Sequence, residues 1–383
     1  MRVYLDNAAT TAINKEVVEI MTQVMLSSYG NPSSIHMEGR TARSTIETAR
    51  KKVAELIGAS MGEIFFTSGG TESNNMILNC AVRDMGVTRI ISSKAEHHCI
   101  LHTLESLEDC QKIEVVFIAI DAKGRPDLNQ LNELLADQRK KTLVTLMHSN
   151  NEIGTMVNLE QVSAICEKHN TLFHSDTVQT LGHFPIDVSK TKIHFLTGSA
   201  HKFHGPKGVG FSYINGDCTI KPFINGGSQE RNMRAGTENI YGIAGLAAAL
   251  DISCKSMTEK EAHIRGVRQH LINELRENFD DIQFNGDYEG RYHYKVLSVS
   301  FPPSPKSELM LLNLDIKGIS ASGGSACSSG AEAGSHVLQA IGADPSRKSV
   351  RFSFSVDNTK EEINYVIKQL KTIIPVKATV NLT

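Results

Sequence analysis

Short apolar runs punctuate the first two-thirds of the chain. Ile64-Phe-Phe-Thr67, Arg89-Ile-Ile-Ser92, Val115-Val-Phe-Ile118, Leu143-Val-Thr-Leu146 and Thr171-Leu-Phe-His174 are rich in β-branched and aromatic residues and do not alternate with polar ones. Runs of this kind read as strands buried on both faces. Between them the period changes. Ala42, Ile46, Ala49, Val53 and Leu56 recur at spacings of three and four and define one apolar face of a helix. Strands alternating with helices predict an α/β domain around a mostly parallel sheet. Ligands of such sheets bind at the loops beyond the carboxyl ends of the strands.

A helical pattern then runs from 240 to about 279, and after it the texture shifts. Val296-Leu-Ser-Val-Ser-Phe301 alternates like a strand with one exposed face, and Pro302, Pro303 and Pro305 break it. Val350-Arg-Phe-Ser-Phe-Ser355 alternates as well, with a helix expected over 359–373. These elements predict a smaller α+β domain toward the C-terminus. Neither an internal repeat nor a low-complexity tract interrupts the pattern.

Composition narrows the class. The chain has 383 residues, enough for two or three domains at about 100–200 residues each. Hydrophobic content of 40% and charged content of 21% allow a sizeable core and exclude wholesale disorder. A formal net charge of −2 offers no global field for nucleic acid or an anionic membrane surface. Met-Arg-Val-Tyr-Leu-Asp-Asn at the start lacks the apolar stretch of a signal peptide. No run of about 18 apolar residues predicts a membrane span. The 7 cysteines are odd in number and include no Cys-x-x-Cys. A disulfide framework or zinc ribbon is disfavoured, and a reducing cytoplasm is the expected location.

Three polar loops fall at predicted strand ends: Ser68-Gly-Gly-Thr-Glu72, Asn150-Asn-Glu-Ile-Gly154 and Ser175-Asp-Thr-Val-Gln179. Their shared location argues for one site. Lys202 lies in Thr197-Gly-Ser-Ala-His-Lys202, among small residues and before a Gly-Pro turn. Partial desolvation there favours the neutral amine that forms Schiff bases. Asp176 follows an apolar run, and an acid there can hold the proton on a pyridine nitrogen. A Schiff-base lysine plus such an acid is the minimum protein equipment for pyridoxal phosphate.

The other candidates each have a plainer reading. Glycines 69 and 70 let backbone N–H groups approach a phosphate at a helix start; the alternative is a turn with Thr71 as N-cap. Asp176 can also be a turn cap. Gln179 can donate to a phenolic oxygen of the cofactor. His97 can stack on a flat ring and move protons, or be an ordinary surface histidine. His201-x-x-His204 and His97-His98 invite a metal, but no third ligand cluster accompanies them, and none is expected. Arg351 can bind a substrate carboxylate bidentately, or face solvent from a half-exposed strand. The loop 225–237, with its Ser, Arg and Thr237, can complete a phosphate site, including that of a second subunit. Cys327 sits in Ser320-Ala-Ser-Gly-Gly-Ser-Ala-Cys-Ser-Ser-Gly330, which predicts an accessible loop and a reactive thiol. The remaining cysteines read as structural.

Taken in order, these segments resemble the class V aminotransferase group of fold-type I pyridoxal phosphate enzymes, and within it the cysteine desulfurases of the NifS/IscS type. The resemblance runs from Tyr4-Leu-Asp-Asn-Ala-Ala-Thr-Thr11 and Gly30-Asn-Pro-Ser-Ser34 through Thr67-Ser-Gly-Gly-Thr-Glu-Ser-Asn-Asn75 and Glu96-His97. It continues in Asn150-Asn-Glu-Ile-Gly154, Asp176-x-x-Gln179, Ser199-Ala-His-Lys202 and Arg234-Ala-Gly-Thr237. It closes with Ser325-Ala-Cys327 and Arg351-Phe-Ser353.

The resemblance implies a fold-type I transferase. A large domain would span 14–257, and a small one, built from 1–13 and 258–383, would carry the cysteine loop. It implies that Lys202 forms the Schiff base and later removes the substrate Cα proton. Asp176 and Gln179 would contact the ring nitrogen and phenolic oxygen, with His97 stacked on the ring and Asn151 beside it. Gly70, Thr71, Ser199 and His201 would hold the phosphate, joined by Thr237 of a second subunit in a homodimer. Arg351 would bind the carboxylate of L-cysteine, and Cys327 would take its sulfur as a persulfide, releasing alanine. The segment from Cys327 to Leu338 has the length of the family's longer cysteine loops. That length implies delivery to an acceptor or iron–sulfur scaffold protein, for clusters, thio-cofactors or tRNA thiolation. Gly70, Ser175 and His98 stand where Ala, Val and Lys are common in the family. The last predicted helix is followed by no long extension of the kind that docks a scaffold. A selenocysteine lyase shares nearly every motif. A simple transaminase of this fold has no use for Cys327, and a silent assembly partner has none for an intact Lys202.

Overall fold

The computed structural model describes residues 1–304, 307–323 and 334–377. Its strands are β1 (Val3–Tyr4), β2 (Ile64–Thr67), β3 (Arg89–Ser93), β4 (Glu114–Ile118), β5 (Thr142–Thr145) and β6 (Leu172–Asp176). They continue with β7 (Phe195–Ser199), β8 (Gly210–Ile214), β9 (Gln283–Asn285), β10 (Val296–Phe301), β11 (Ile319–Ser320) and β12 (Lys348–Ser353). The main sheet has seven strands in the order β2-β8-β7-β6-β5-β3-β4. β3 to β7 are mutually parallel, and only β8 is reversed against both its neighbours, β7 and β2. This is the expected α/β architecture with a mostly parallel sheet.

All five apolar runs are strands of this sheet, packed between two apolar clusters. One contains Val17, Ile46, Val53 and Leu246; the other contains Ile77, Ile90 and Leu104. The apolar pattern does not reveal β7 and β8. Phe195-Leu-Thr-Gly-Ser199 is short and half small residues, yet all five are buried. Gly198 is required by close approach, because a Cβ there would lie 2.4 Å from the Phe211 ring of β8.

The pattern from 240 to 279 is two helices rather than one. Ile240–Lys255 and Met257–Asn278 meet at 73°. Each half serves a different core. The first packs on helices Lys15–Ser27 and Met37–Ile57, the second on helix Lys360–Leu370. Among the described residues, no single helix is long and apolar enough to cross a membrane.

A third apolar cluster unites Val3 and Leu5 with Leu271, Leu297, Val350 and Ile363. Here β10 lies between β9 and β12, and β1 pairs in parallel with β11. The expected exposed face of β10 is a misreading, since all six of its residues are buried. Its serines face a polar layer: Asn285 Nδ2 donates to Ser298 Oγ and Arg347 Nε to Ser300 Oγ. Alternation in sequence therefore marks apolar against polar neighbours here, not core against solvent.

One buried ion pair fixes the edge of the main sheet. Arg50 Nη1 and Nη2 donate to Glu230 Oε2 and Oε1 at 2.7 and 2.8 Å. The same pair binds β2, through Arg50 to Ile64 O and from Phe66 N to Glu230 Oε2, each at 2.7 Å. Removing Glu230 leaves the buried Arg50 guanidinium with the half-exposed Glu47, 3.2 Å from its Nε, as its remaining carboxylate. Glu230→Ala is expected to cost about 3–5 kcal/mol, visible as a lowered urea midpoint.

Candidate active site

The carboxyl ends of β2, β3, β5, β6 and β7 open onto one cavity of about 220 Å³. Gly70 and Thr71 enter it after β2, His97 after β3 and Asn151 after β5. Asp176 and Gln179 enter at and after β6, and Ser199, His201 and Lys202 at and after β7. Arg351 of β12 closes the cavity together with Ala8 and Ala9. Every expected site residue is here except two. Thr237 lines a separate cleft of about 160 Å³ with Ser68 and Arg234, its expected role being toward a second subunit. Cys327 lies outside the described residues.

The acid is held on both oxygens. Asp176 Oδ2 accepts from Asn74 Nδ2 at 2.7 Å, and Oδ1 accepts from Val178 N at 2.9 Å. The turn-cap reading is thus also realised, by one oxygen of a carboxylate that faces the cavity. Lys202 ends the turn Ala200–Lys202, and its Nζ donates to Ala8 O and Ala9 O at 2.6 and 2.8 Å. Gln179 Nε2 also donates to Ala8 O, at 3.1 Å, and its buried Oε1 has no partner among the described residues.

His97 is the N-cap of helix His98–Gln111, and its Nδ1 accepts from Cys99 N at 3.1 Å. The ring proton is consequently on Nε2. Burial pulls the His97 pKa down, with the nearby Lys202 charge adding to this and Asp176 opposing it, so the ring is neutral at pH 7. Burial pushes the Cys99 thiol up to about 12, helped by Asp176. The thiols of Cys80, Cys166 and Cys218 are pushed to about 12 by burial as well. These thiols stay protonated at neutral pH, as their structural reading requires.

Helix Gly70–Met85 starts at Gly69, which makes no side-chain capping bond; Thr71 is not the cap. Gly70 and Thr71 of its first turn line the cavity. A Cβ on Gly70 would come within 2.7 Å of Val178 Cγ2, so glycine lets the turn after β6 close onto the helix start. Arg351 is 2% exposed, which removes the solvent-facing reading. Its Nη2 and Nη1 donate to Asp6 Oδ1 and Asn151 O, both at 2.8 Å, and its buried Nε has no partner among the described residues.

Sequence reasoning gave Asn74, Cys99, Ala8 and Ala9 no role. Asn74 was findable, because it lies three and four residues beyond Thr71 and Gly70 and so shares their helix face. The two alanine carbonyls carry no side-chain signal.

The class V aminotransferase family model matches residues 3–366. A cysteine desulfurase IscS of Dictyoglomus turgidum is 42% identical, over 98% of this chain and 97% of its own length. The chain belongs to the cysteine desulfurases of the class V aminotransferase family. Among solved structures, a NifS-like protein matches with a TM-score of 0.89 and 37% identity, over 97% of this chain and 99% of that one. A structure described as SspA in complex with cysteine matches with a TM-score of 0.81 and 30% identity, over 94% of this chain and 100% of that one.

Cysteine desulfurases depend on pyridoxal phosphate, and the residues here fit it. The uncapped helix start suits a phosphate, and the two-point grip on Asp176 suits a protonated ring nitrogen. The unpartnered Gln179 Oε1 and Arg351 Nε leave polar capacity that the protein itself does not use.

Four interior histidines are buried and neutral. Burial lowers His148 and His174 to about 3, and His183 and His293 well below the usual value. Below about pH 6.5 the unfolded chain takes up protons that the folded chain refuses, so stability falls with falling pH, by about 1.4 kcal/mol per unit for each such histidine. The urea midpoint is expected to drop steadily from about pH 7 to about pH 5; a flat profile would contradict their neutrality.

Proposed function

We propose that this chain is a homodimeric, cytoplasmic cysteine desulfurase that turns L-cysteine into L-alanine and passes the sulfur from Cys327 to an acceptor protein. The convergence of Lys202, Asp176, an uncapped helix start and Arg351 on one cavity carries this reading. When bound there, pyridoxal phosphate supplies an electron sink for the charge left at Cα. Lys202 would hold its aldehyde carbon and Asp176 its ring nitrogen, with His97 against the ring and Gln179 and Asn151 at its edge. Gly70, Thr71, Ser199 and His201 would hold the phosphate, with Thr237 contributed by a second subunit.

Arg351 orients the substrate carboxylate, its guanidinium already fixed by Asp6 and Asn151 O. That grip limits the freedom lost on binding. Lys202 Nζ would be released when the substrate amine takes its place at the aldehyde carbon, and would then take the Cα proton. The Cys327 thiolate attacks the substrate sulfur, the C–S bond breaks, and a persulfide is left on Cys327. Alanine leaves after protonation at the carbon. The length of the cysteine loop supports delivery to a scaffold or thiolation partner. The separation of the apolar clusters supports a large domain over 14–257 and a small one from 1–13 and 258–383.

Intact-mass spectrometry after cysteine addition tests the reading. Wild type is expected to gain the mass of one sulfur on Cys327. Cys327→Ser should keep the yellow cofactor yet gain none, and sulfur appearing there would assign another thiol. Lys202→Ala should lose both the yellow band and alanine formation; normal turnover in that variant would sink the assignment.

A further inference from the structure

Behind Lys202 lies a second lysine that the proposed reaction does not use. Lys295, in the turn entering β10, is 1% exposed. No ion pair involves it among the described residues. Its Nζ makes two contacts, with His183 Nε2 and with the backbone carbonyl of Lys202, both at 3.2 Å. His183 is buried as well. Its Nε2 lies 3.2 Å from the same Lys202 carbonyl, and its Nδ1 is 3.0 Å from Tyr294 Oη, which in turn donates to His183 O at 3.2 Å.

An assignment with every group uncharged satisfies all of these contacts except that between His183 Nε2 and the Lys202 carbonyl, which are then both acceptors and are each met by Lys295 Nζ. A neutral lysine amine has two protons, and it has two acceptors here, His183 Nε2 and Lys202 O. His183 then carries its proton on Nδ1 and gives it to Tyr294 Oη, whose own proton goes to His183 O. An ammonium would bring a third proton and a charge with no carboxylate to meet it. Burial, with the charges of Lys202 and Arg351 added, pulls Lys295 well below the usual lysine value. Burial and Lys295 do the same to His183.

The contact joins two parts of the molecule. Lys202 ends a turn after β7 of the main sheet, and Lys295 belongs to the β10 side. A long side chain with a donor at its tip is what can cross between them. An apolar residue of equal length would fill the space and leave the Lys202 carbonyl without that donor.

We propose that Lys295, paired with His183, is a positioning residue for Lys202: an uncharged prop that holds the carbonyl of its turn and so aims Nζ into the cavity. This rests on Lys202 being the cofactor lysine. Misplacing a reacting group by a fraction of an ångström slows the chemical step while leaving substrate contacts elsewhere intact. The substrate contact at Arg351 does not touch Lys295.

The test uses the cofactor-loaded enzyme and the variants Lys295→Met and Lys295→Gln. In Lys295→Met, kcat is expected to fall about tenfold with KM for cysteine within about twofold, and the cofactor to be lost on dialysis about tenfold faster. Lys295→Gln keeps a donor at the tip and should recover most of both losses. A folded Lys295→Met enzyme with wild-type kcat and cofactor retention overturns the proposal. So does a Lys295→Gln enzyme no better than the Met variant, because packing alone would then explain the loss. Should Lys295→Met fail to fold, His183→Gln is read instead: faster cofactor loss supports the prop, and unchanged retention refutes it. A visible band that survives in the Lys202→Ala variant overturns the functional reading itself. A normal Lys202 result with an indifferent Lys295 overturns this inference alone.

Discussion

The register between β6 and β7 sets the relation of the acid to the amine. His174, Ser175 and Asp176 pair with Phe195, Leu196 and Thr197 in a parallel ladder. Both strands end at the same edge, so Asp176 stops at the cavity while its neighbour runs on to Ser199 and the Lys202 turn. A slip by one residue would turn every side chain of β6 to the opposite face and send Asp176 into the apolar core. The reversed strand β8 guards that register from the other side. Its Phe211 ring lies against Gly198 so closely that β7 admits no side chain there.

Around this pair the protein places dipoles and neutral groups instead of opposing charges. The helix start at Gly69, the amide of Asn74, the Nε2–H tautomer of His97 and the protonated thiol of Cys99 are all uncharged. Arg351 is the exception, and Asp6 answers it at 2.8 Å. A buried site built this way avoids several unpaired ions in one small volume, each of which would carry a heavy desolvation penalty.

How much of this was legible depended on whether a residue announces itself locally. The five apolar strands did, because a sheet covered on both faces leaves continuous apolar runs. The glycine loop, Asp176, Lys202 and Arg351 did, because their chemistry is unusual at strand ends. β7 did not, since close approach to β8 demanded Gly198 in place of a β-branched residue. The bend at Ser256 was hidden because both helices keep one period while serving different cores. Ser298 and Ser300 read as solvent-facing, since sequence cannot tell a buried arginine or asparagine from water as a polar neighbour. Lys295 looked like any lysine ahead of a strand, and only its distance to the Lys202 carbonyl gives it meaning.

The N-terminal segment links these layers. Val3 and Tyr4 pair with β11, Asp6 bridges to Ser353 and grips Arg351, and Ala8 receives both Lys202 and Gln179. Its partners are scattered over most of the chain's length. During synthesis the first ten residues leave the ribosome well before β12 exists. Ala8 and Ala9 can meet Lys202 and Gln179 first, but Asp6 has no arginine to grip until residues 348–353 have emerged. The main sheet can form earlier, domain by domain as chains commonly do. The arginine clamp joins the resting place of the lysine only once β12 has been made. A nascent chain that lacks β12 therefore holds an open, unfinished cavity.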